Sequence, residues 1–290
     1  MTEQNLFIPD IIFIVPYRHR SSHKIFFTNQ MQYVMNYDTN KHIKYSVYFS
    51  LQNDERPFNR GAMKNIGFLA MKRLYPNDYQ NITFVFNDVD TVPSIPCLHY
   101  QTTNGNVKHF YGFNYALGGI VSITGHDFEQ TNGFPNLWGW GMEDNIFQQR
   151  CLKNKLIIDR STFYKIGDSH ILQLFDGTNR LTTDNNLKHL KMNGSIDGLI
   201  SLNEISHKIQ KNSPFPEDNS YYPQLNNYKY INIKSFNTLN NHLQENYHQY
   251  NLRKSSKDFL HSKLNNQSKS FVSNKQLQQH IKNKTNWNHN

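Results

Sequence analysis

The sequence predicts an α/β fold in which a mixed, mainly parallel sheet is flanked by helices. Two observations carry this. Short, continuously apolar, β-branched runs alternate with helix-period stretches over the first half of the chain, and the first and third of these runs end in a cluster of charged residues. At 290 residues, 37% hydrophobic and 14% aromatic, the chain has enough apolar material for a large core.

Ile11 to Val15 is an apolar run fit for a strand buried on both faces, and Ile43 to Phe49 is a second. Asn59 is placed to cap a helix running through Met63, Ile66, Gly67, Leu69, Ala70 and Leu74 and ending near Pro76. Ile82 to Phe86 makes a third buried strand. A further strand is expected at Ile120 to Thr124, then a short helix around Asp127 to Thr131 stopped by Gly133. Glu143 to Lys153 reads as another helix, with Ile146, Phe147 and Cys151 on its apolar face.

Past about Pro214 the composition turns to Asn, Gln, His, Lys and Ser. We therefore expect a folded domain over residues 1–213, a polar extension over 214–290, and disorder in 251–290, where apolar surface is too scarce to offset ordering entropy. The net charge of +9 is concentrated there: residues 251–290 carry eight Lys or Arg against one acid, or +7. Nucleic-acid binding is thus not expected of the core and is open only for this basic tail. Two cysteines, Cys97 and Cys151, are too few for a disulfide framework and point to a reducing compartment. No basic leader or long apolar run is seen near the first residues, so neither a signal peptide nor a transmembrane segment is expected.

Ligands of open α/β sheets collect at the carboxyl ends of the strands. The first strand runs into Pro16-Tyr17-Arg18-His19-Arg20 and the third into Asn87-Asp88-Val89-Asp90, so basic and acidic clusters share one edge. Two carboxylates at a strand end can hold a divalent cation and leave positions for phosphate oxygens, although Asp-x-Asp alone is more often a solvated turn. Arg18 and Arg20 match phosphates or carboxylates in fixed geometry, although lone arginines are usually surface charge. In Trp138-Gly139-Trp140-Gly141-Met142-Glu143-Asp144, two indoles spaced by glycine offer flat faces for sugars, with a carboxylate beside them at a helix N-terminus, where a general base is well placed. The competing reading makes the tryptophans core and the acids a helix cap.

These segments together resemble the beta-1,4-galactosyltransferase family of inverting glycosyltransferases. The ordered set is Phe13 through Arg20, Phe58-Asn59-Arg60, Asn65-Ile66-Gly67-Phe68, Phe86 through Asp90, Gly118-Gly119, Asn132-Gly133-Phe134-Pro135-Asn136 and Trp138 through Asp144, within residues 10–180. The resemblance implies a GT-A, Rossmann-like fold, a UDP-sugar donor, a carbohydrate acceptor and manganese. It implies that Pro16, Tyr17, Arg18 and Arg20 line the uridine and diphosphate site with Phe58 and Arg60. Asp88 would touch the ribose or metal shell, and Asp90 would coordinate manganese. Trp140 would contact sugars, Glu143 would bind donor or acceptor, and Asp144 would deprotonate the acceptor hydroxyl. Val89, Ala116, Gly118, Gly119 and Asn145 complete the substrate-contacting set. A downstream Met-x-x-His or His-x-His stretch that completes the family's metal site corresponds here to Asp168-Ser169-His170, making Asp168 and His170 the further expected ligands.

Three positions depart from the family pattern. Ala116 replaces a tyrosine common in galactose-using members, which should open the donor pocket to N-acetylgalactosamine as well as galactose. Asn145 stands for a third acid, removing a charge expected near the acceptor. Asp168 stands where histidine or methionine is usual. A catalytically inactive glycan-binding module on the same fold is the alternative, weakened by Asp90, Asp144 and His170 occurring together. High Asn, Lys, Ile and Tyr usage fits an AT-rich genome such as that of a large virus, protist or bacterium. The expected setting is cytoplasmic, or a viral factory in the host.

Overall fold

The computed structural model describes residues 7–37, 42–184, 197–219 and 226–253. In chain order the elements are β1 (Ile11–Tyr17), α1 (Ser21–Asn36), β2 (Tyr45–Gln52), α2 (Arg60–Leu74), β3 (Thr83–Asn87), β4 (Thr91–Pro93), β5 (Asn106–Gly112), β6 (Ile120–Thr124), α3 (Gly125–Gln130) and α4 (Glu143–Lys153). The remaining strands are β7 (Ile157–Asp159), β8 (Tyr164–Lys165), β9 (Ile171–Gln173), β10 (Asn179–Thr183), β11 (Asn203–Gln210), β12 (Tyr228–Asn237) and β13 (Tyr247–Asn251). The main sheet runs β11-β12-β2-β1-β3-β6-β5-β7, with β8 also on β5. β12, β2, β1 and β3 are mutually parallel, while β6 runs antiparallel to both β3 and β5. The expected mixed, mainly parallel α/β sheet is what forms.

The side-chain period of two explains the unbroken apolar run of β1. Ile12 and Ile14 face α2 together with Phe84, Phe86, Ile66 and Phe68, while Ile11, Phe13 and Val15 pack on the other side with Phe27 and Met31 of α1. α2 lies close against the sheet because Gly67 has no side chain: a Cβ there would sit 2.5 Å from Ile14 Cγ2. Asn59 is the cap the sequence predicted, its side chain accepting from Ala62 N at 2.9 Å. The short helix starts two residues earlier than expected because Thr124 caps it, accepting from Asp127 N. α1, absent from the sequence reading, has no side-chain cap and no acidic first turn to announce it.

The boundary expected after residue 213 does not divide two units. β12 lies beyond it, yet pairs in parallel with β2 and buries Ile231, Ile233 and Phe236 in the core. Its apolar residues alternate with Asn232 and Lys234, so the strand hides inside a polar composition. Of the expected disordered stretch, 254–290 lies outside the described residues. No helix among the described residues is long and apolar enough to cross a membrane.

Candidate active site

The site is built around Arg60, the first residue of α2. Asn59 fixes that helix start by donating from its backbone N to Gln52 Oε1 (2.8 Å) and from Nδ2 to the Asn136 carbonyl (3.1 Å). The Arg60 guanidinium then donates to Asp88 Oδ2 (2.7 Å), to Glu143 Oε1 (2.6 Å) and to Asp144 Oδ2. Burial works against its charge, but Asp144, Asp88, Glu143 and Asp90 outweigh burial and raise its pKa further. One helical turn on, the buried Lys64 ammonium lies 3.3 Å from Asp144 Oδ1 and 3.7 Å from Asp88 Oδ1, over the Phe134 ring. Two cations of α2 thus face three carboxylates from two separated motifs.

The paired glycines explain how Asp144 comes so near. Leu117 N donates to the Asp144 carbonyl (3.0 Å), and a Cβ on Gly118 would stand 2.5 Å from Asp144 Oδ2. Gly119 has φ +68°, a Cβ there would meet the Tyr111 carbonyl at 2.5 Å, and its own carbonyl accepts from Asp88 N (3.0 Å). Glu143 and Asp144 occupy the first turn of α4, where the helix dipole favours anions. Glu143 Oε2 also accepts from Gly141 N (3.1 Å), closing the turn in which Met142 has φ +73°.

Asp90 lies across from this cluster. It pairs with Arg20 (3.1 Å), whose other nitrogen pairs with Asp176, and Arg180 holds Asp176 in turn (2.5 Å). Burial and the charge of Asp88 raise the pKa of Asp90, against the pull of Arg20. Asp168 and His170 are elsewhere: they bond each other at 2.8 Å, are substantially exposed, and the His170 ring stacks on Tyr164. The reason is strand register. β4 and β9 are antiparallel, so the Asp90 carbonyl accepts from Leu174 N while the His170 carbonyl accepts from Ser94 N. Asp90 and His170 thus sit at opposite ends of the ladder, four residues or about 13 Å apart. Among the described residues no group of three His, Cys, Asp or Glu side chains is placed to hold one ion, so the expected set of Asp90, Asp168 and His170 is not assembled.

Residues 8–102 match the family model described as the N-terminal region of glycosyl transferase group 7, and residues 98–173 match the one described as the N-terminal domain of galactosyltransferase. The chain belongs to the group 7 glycosyltransferases. It is 30% identical over 177 residues to the xylosylprotein 4-beta-galactosyltransferase of Caenorhabditis elegans, covering 58% of each chain. It is 33% identical over 159 residues to beta-1,4-galactosyltransferase 2 of Mus musculus, covering 51% of this chain and 41% of that one. The chain spans about half the length of the curated relatives it matches. Among solved structures, the catalytic domain of Drosophila beta-1,4-galactosyltransferase 7 with xylobiose aligns at TM-score 0.59 and 21% identity, over 77% of this chain and 93% of that one. A mutant of the same Drosophila protein, solved with manganese, UDP-Gal and xylobiose, aligns at the same TM-score and 19% identity. Both share the fold of this chain.

The remaining expected residues of this group 7 chain are placed by contacts of their own. Pro16 and Tyr17 are buried; the Tyr17 hydroxyl donates to Asp218, which also accepts from Ser21 (2.8 Å), and burial followed by Asp218 raises the tyrosine pKa. Arg18 donates to the carbonyls of Asp54 (2.8 Å) and Arg56, anchoring the loop after β2. Phe58 contributes its carbonyl, accepting from Gly139 N (3.1 Å). Val89 and Ala116 are buried. Asn145 donates to the Tyr115 carbonyl (3.3 Å) and so ties α4 to the turn before the glycines. The two tryptophans divide: Trp138 is core, stacked on Phe236 with its Nε1 donating to the Asn240 carbonyl (2.8 Å), while Trp140 is half-buried and lies against Tyr250. Lys64, Asp176 and Tyr250 were missed by sequence reasoning. Only Lys64 carried a signal, being four residues after Arg60 on the same helix face.

Proposed function

We propose that this chain moves galactose or N-acetylgalactosamine from a UDP-sugar to a hydroxyl of a carbohydrate acceptor, with inversion. The observation that carries the reading is the Asp144 carboxylate at the first turn of α4, fixed at the sheet edge by Arg60, Lys64 and the close approach of Gly118. In the step, Asp144 takes the proton of the acceptor hydroxyl while its oxygen attacks the anomeric carbon. The bond from that carbon to the diphosphate oxygen breaks on the opposite face, and its electron pair leaves with UDP. Holding the two reactants in line supplies much of the rate. Arg20 offers its guanidinium to the departing diphosphate.

Manganese is the cation we assign to Asp90. The donor chemistry fits, since Asp88 and Asp90 offer hard oxygens at a strand end and Asp88 Oδ1 is buried without a hydrogen-bond partner. One or two carboxylates suffice where substrate phosphates complete the shell. When bound, the ion supplies Lewis-acid neutralisation of the charge on the leaving diphosphate.

The test is transfer from UDP-Gal and UDP-GalNAc to a panel of sugars with Mn2+, read by mass spectrometry. Asp144→Asn should lower kcat by roughly 100-fold or more while donor binding persists. Ala116→Tyr, which refills the donor pocket, should move the donor ratio toward UDP-Gal. An unchanged ratio removes the N-acetylgalactosamine reading. Glycan binding with neither transfer nor UDP-sugar hydrolysis would leave only a binding module.

A further inference from the structure

Both family matches end by residue 173, so β10 and β13 lie beyond them. These two strands form a small antiparallel sheet that sets Leu181 opposite Gln249 and Arg180 opposite Tyr250. The tryptophan loop is clipped onto this sheet: Trp140 N donates to the Leu181 carbonyl at 2.6 Å, and a Cβ on Gly139 would stand 2.8 Å from the same oxygen. The Tyr250 ring then lies nearly parallel to Trp140, with centroids 6.0 Å apart and planes at 13°. Near-parallel rings at that separation are laterally offset, so Tyr250 lengthens the aromatic face instead of capping it. The same strand pair reaches the phosphate side, because Arg180 of β10 holds Asp176, which holds Arg20.

We propose that Tyr250 is an acceptor-specificity residue, and that Trp140 and Tyr250 together form a two-ring platform for an acceptor of at least two linked sugars. This rests on the transferase reading above. Trp140 lies three residues before Glu143 and four before the base Asp144, so it takes the sugar bearing the reacting hydroxyl. Tyr250, one ring further out, takes the next sugar along the chain. The apolar C–H face of a pyranose lies flat on such rings, and the offset between them is comparable to the spacing of successive sugars in a glycan.

The experiment compares a monosaccharide acceptor with its disaccharide extension in the full chain, using Tyr250→Ala and Tyr250→Phe. Tyr250→Ala should raise KM for the disaccharide about five- to tenfold, to the level of the monosaccharide, as expected for one lost stacking contact. It should leave kcat, monosaccharide KM and acceptor-free UDP-sugar hydrolysis unchanged, and Tyr250→Phe should restore the disaccharide preference. Equal effects on both acceptors, or a fall in kcat and donor hydrolysis, would mean that Tyr250 only supports the fold and would overturn the proposal. If the unaltered chain shows no turnover at all, the transferase reading fails separately. Disaccharide binding followed by tryptophan fluorescence then still decides the platform, which is refuted if Tyr250→Ala binds as well as the parent.

Discussion

Arg60 and Lys64 neutralise the carboxylates of Asp88, Glu143 and Asp144, which would otherwise repel one another. Their roles differ. Arg60 touches all three acids and so sets their positions, whereas Lys64 touches Asp144 and Asp88 alone and is nearly inaccessible to water. Removing the ammonium takes away one of the groups that hold the Asp144 carboxylate in place. Lys64→Met should therefore lower kcat by about tenfold or more, and Lys64→Arg, which keeps the charge and a donor, should retain most of it; an unchanged kcat in Lys64→Met denies Lys64 this role. A second residue-scale prediction concerns the cation. Because strand register holds His170 at the Ser94 end of the ladder, Mn2+ affinity measured by electron paramagnetic resonance with UDP present should fall about tenfold or more in Asp90→Asn. In His170→Ala it should change by less than about threefold, since that ring makes its contacts with Asp168 and Tyr164. Equal losses in both would mean that residues 168–170 join the ion after all.

At the scale of elements, the glycine pair between β5 and β6 decides where α4 can sit, and its two members have separable functions. The three atoms nearest a Cβ on Gly118 all belong to the Asp144 side chain and none to backbone, so Gly118→Ala should melt near the parent temperature. Its kcat should nonetheless fall about 100-fold, because a displacement of about 1 Å at a reacting group costs that much. Gly119 is crowded by the Tyr111 backbone and has φ +68°, so alanine there should destabilise the whole fold by more than about 1 kcal/mol. Circular dichroism melts and kcat for both variants check this, and a Gly118→Ala enzyme of full activity would contradict the close-approach argument. Elements of this kind were legible in the sequence where a local rule fixes them: Asn59 at a cap, β1 and β3 as doubly buried strands, the acids at the head of α4. α1 and β12 were not legible, since α1 carries no cap and β12 interleaves its core residues with Asn and Lys. Asp168 and His170 stand apart from Asp90 for a related reason. Motif order says which residues belong to a site, but the register of β4 on β9 decides which of them meet, and two short strands carry too little pattern to fix a register.

The whole molecule buries polar groups as well as an apolar core, and His109 is the one whose titration the global fold should report. Its ring lies between β5 and the glycine turn, with Nε2 donating to the carbonyls of Tyr111 (3.0 Å) and Gly118 (3.2 Å). Nδ1 accepts from Arg160 Nε (3.0 Å), so the ring is neutral and has no room for a second proton. Burial, and then the Arg160 charge, lower its pKa to about 3. An unfolded histidine takes up a proton near pH 6.5, so between there and about pH 3 the unfolded chain binds the extra proton and the folded chain does not. By linkage the stability contribution is complete above about pH 6.5 and is lost as pH falls, at a limiting slope near 1.4 kcal/mol per pH unit. Urea unfolding midpoints taken from pH 7 down to pH 4 should show this loss. His109→Gln keeps a donor toward the two carbonyls and cannot take a proton, so its stability should vary less steeply over the same range. Parallel curves for the two proteins would mean that other groups set the acid sensitivity. A flatter curve for the variant would make the lock on the Gly118 turn, and with it the seat of Asp144, a property of the globally folded state.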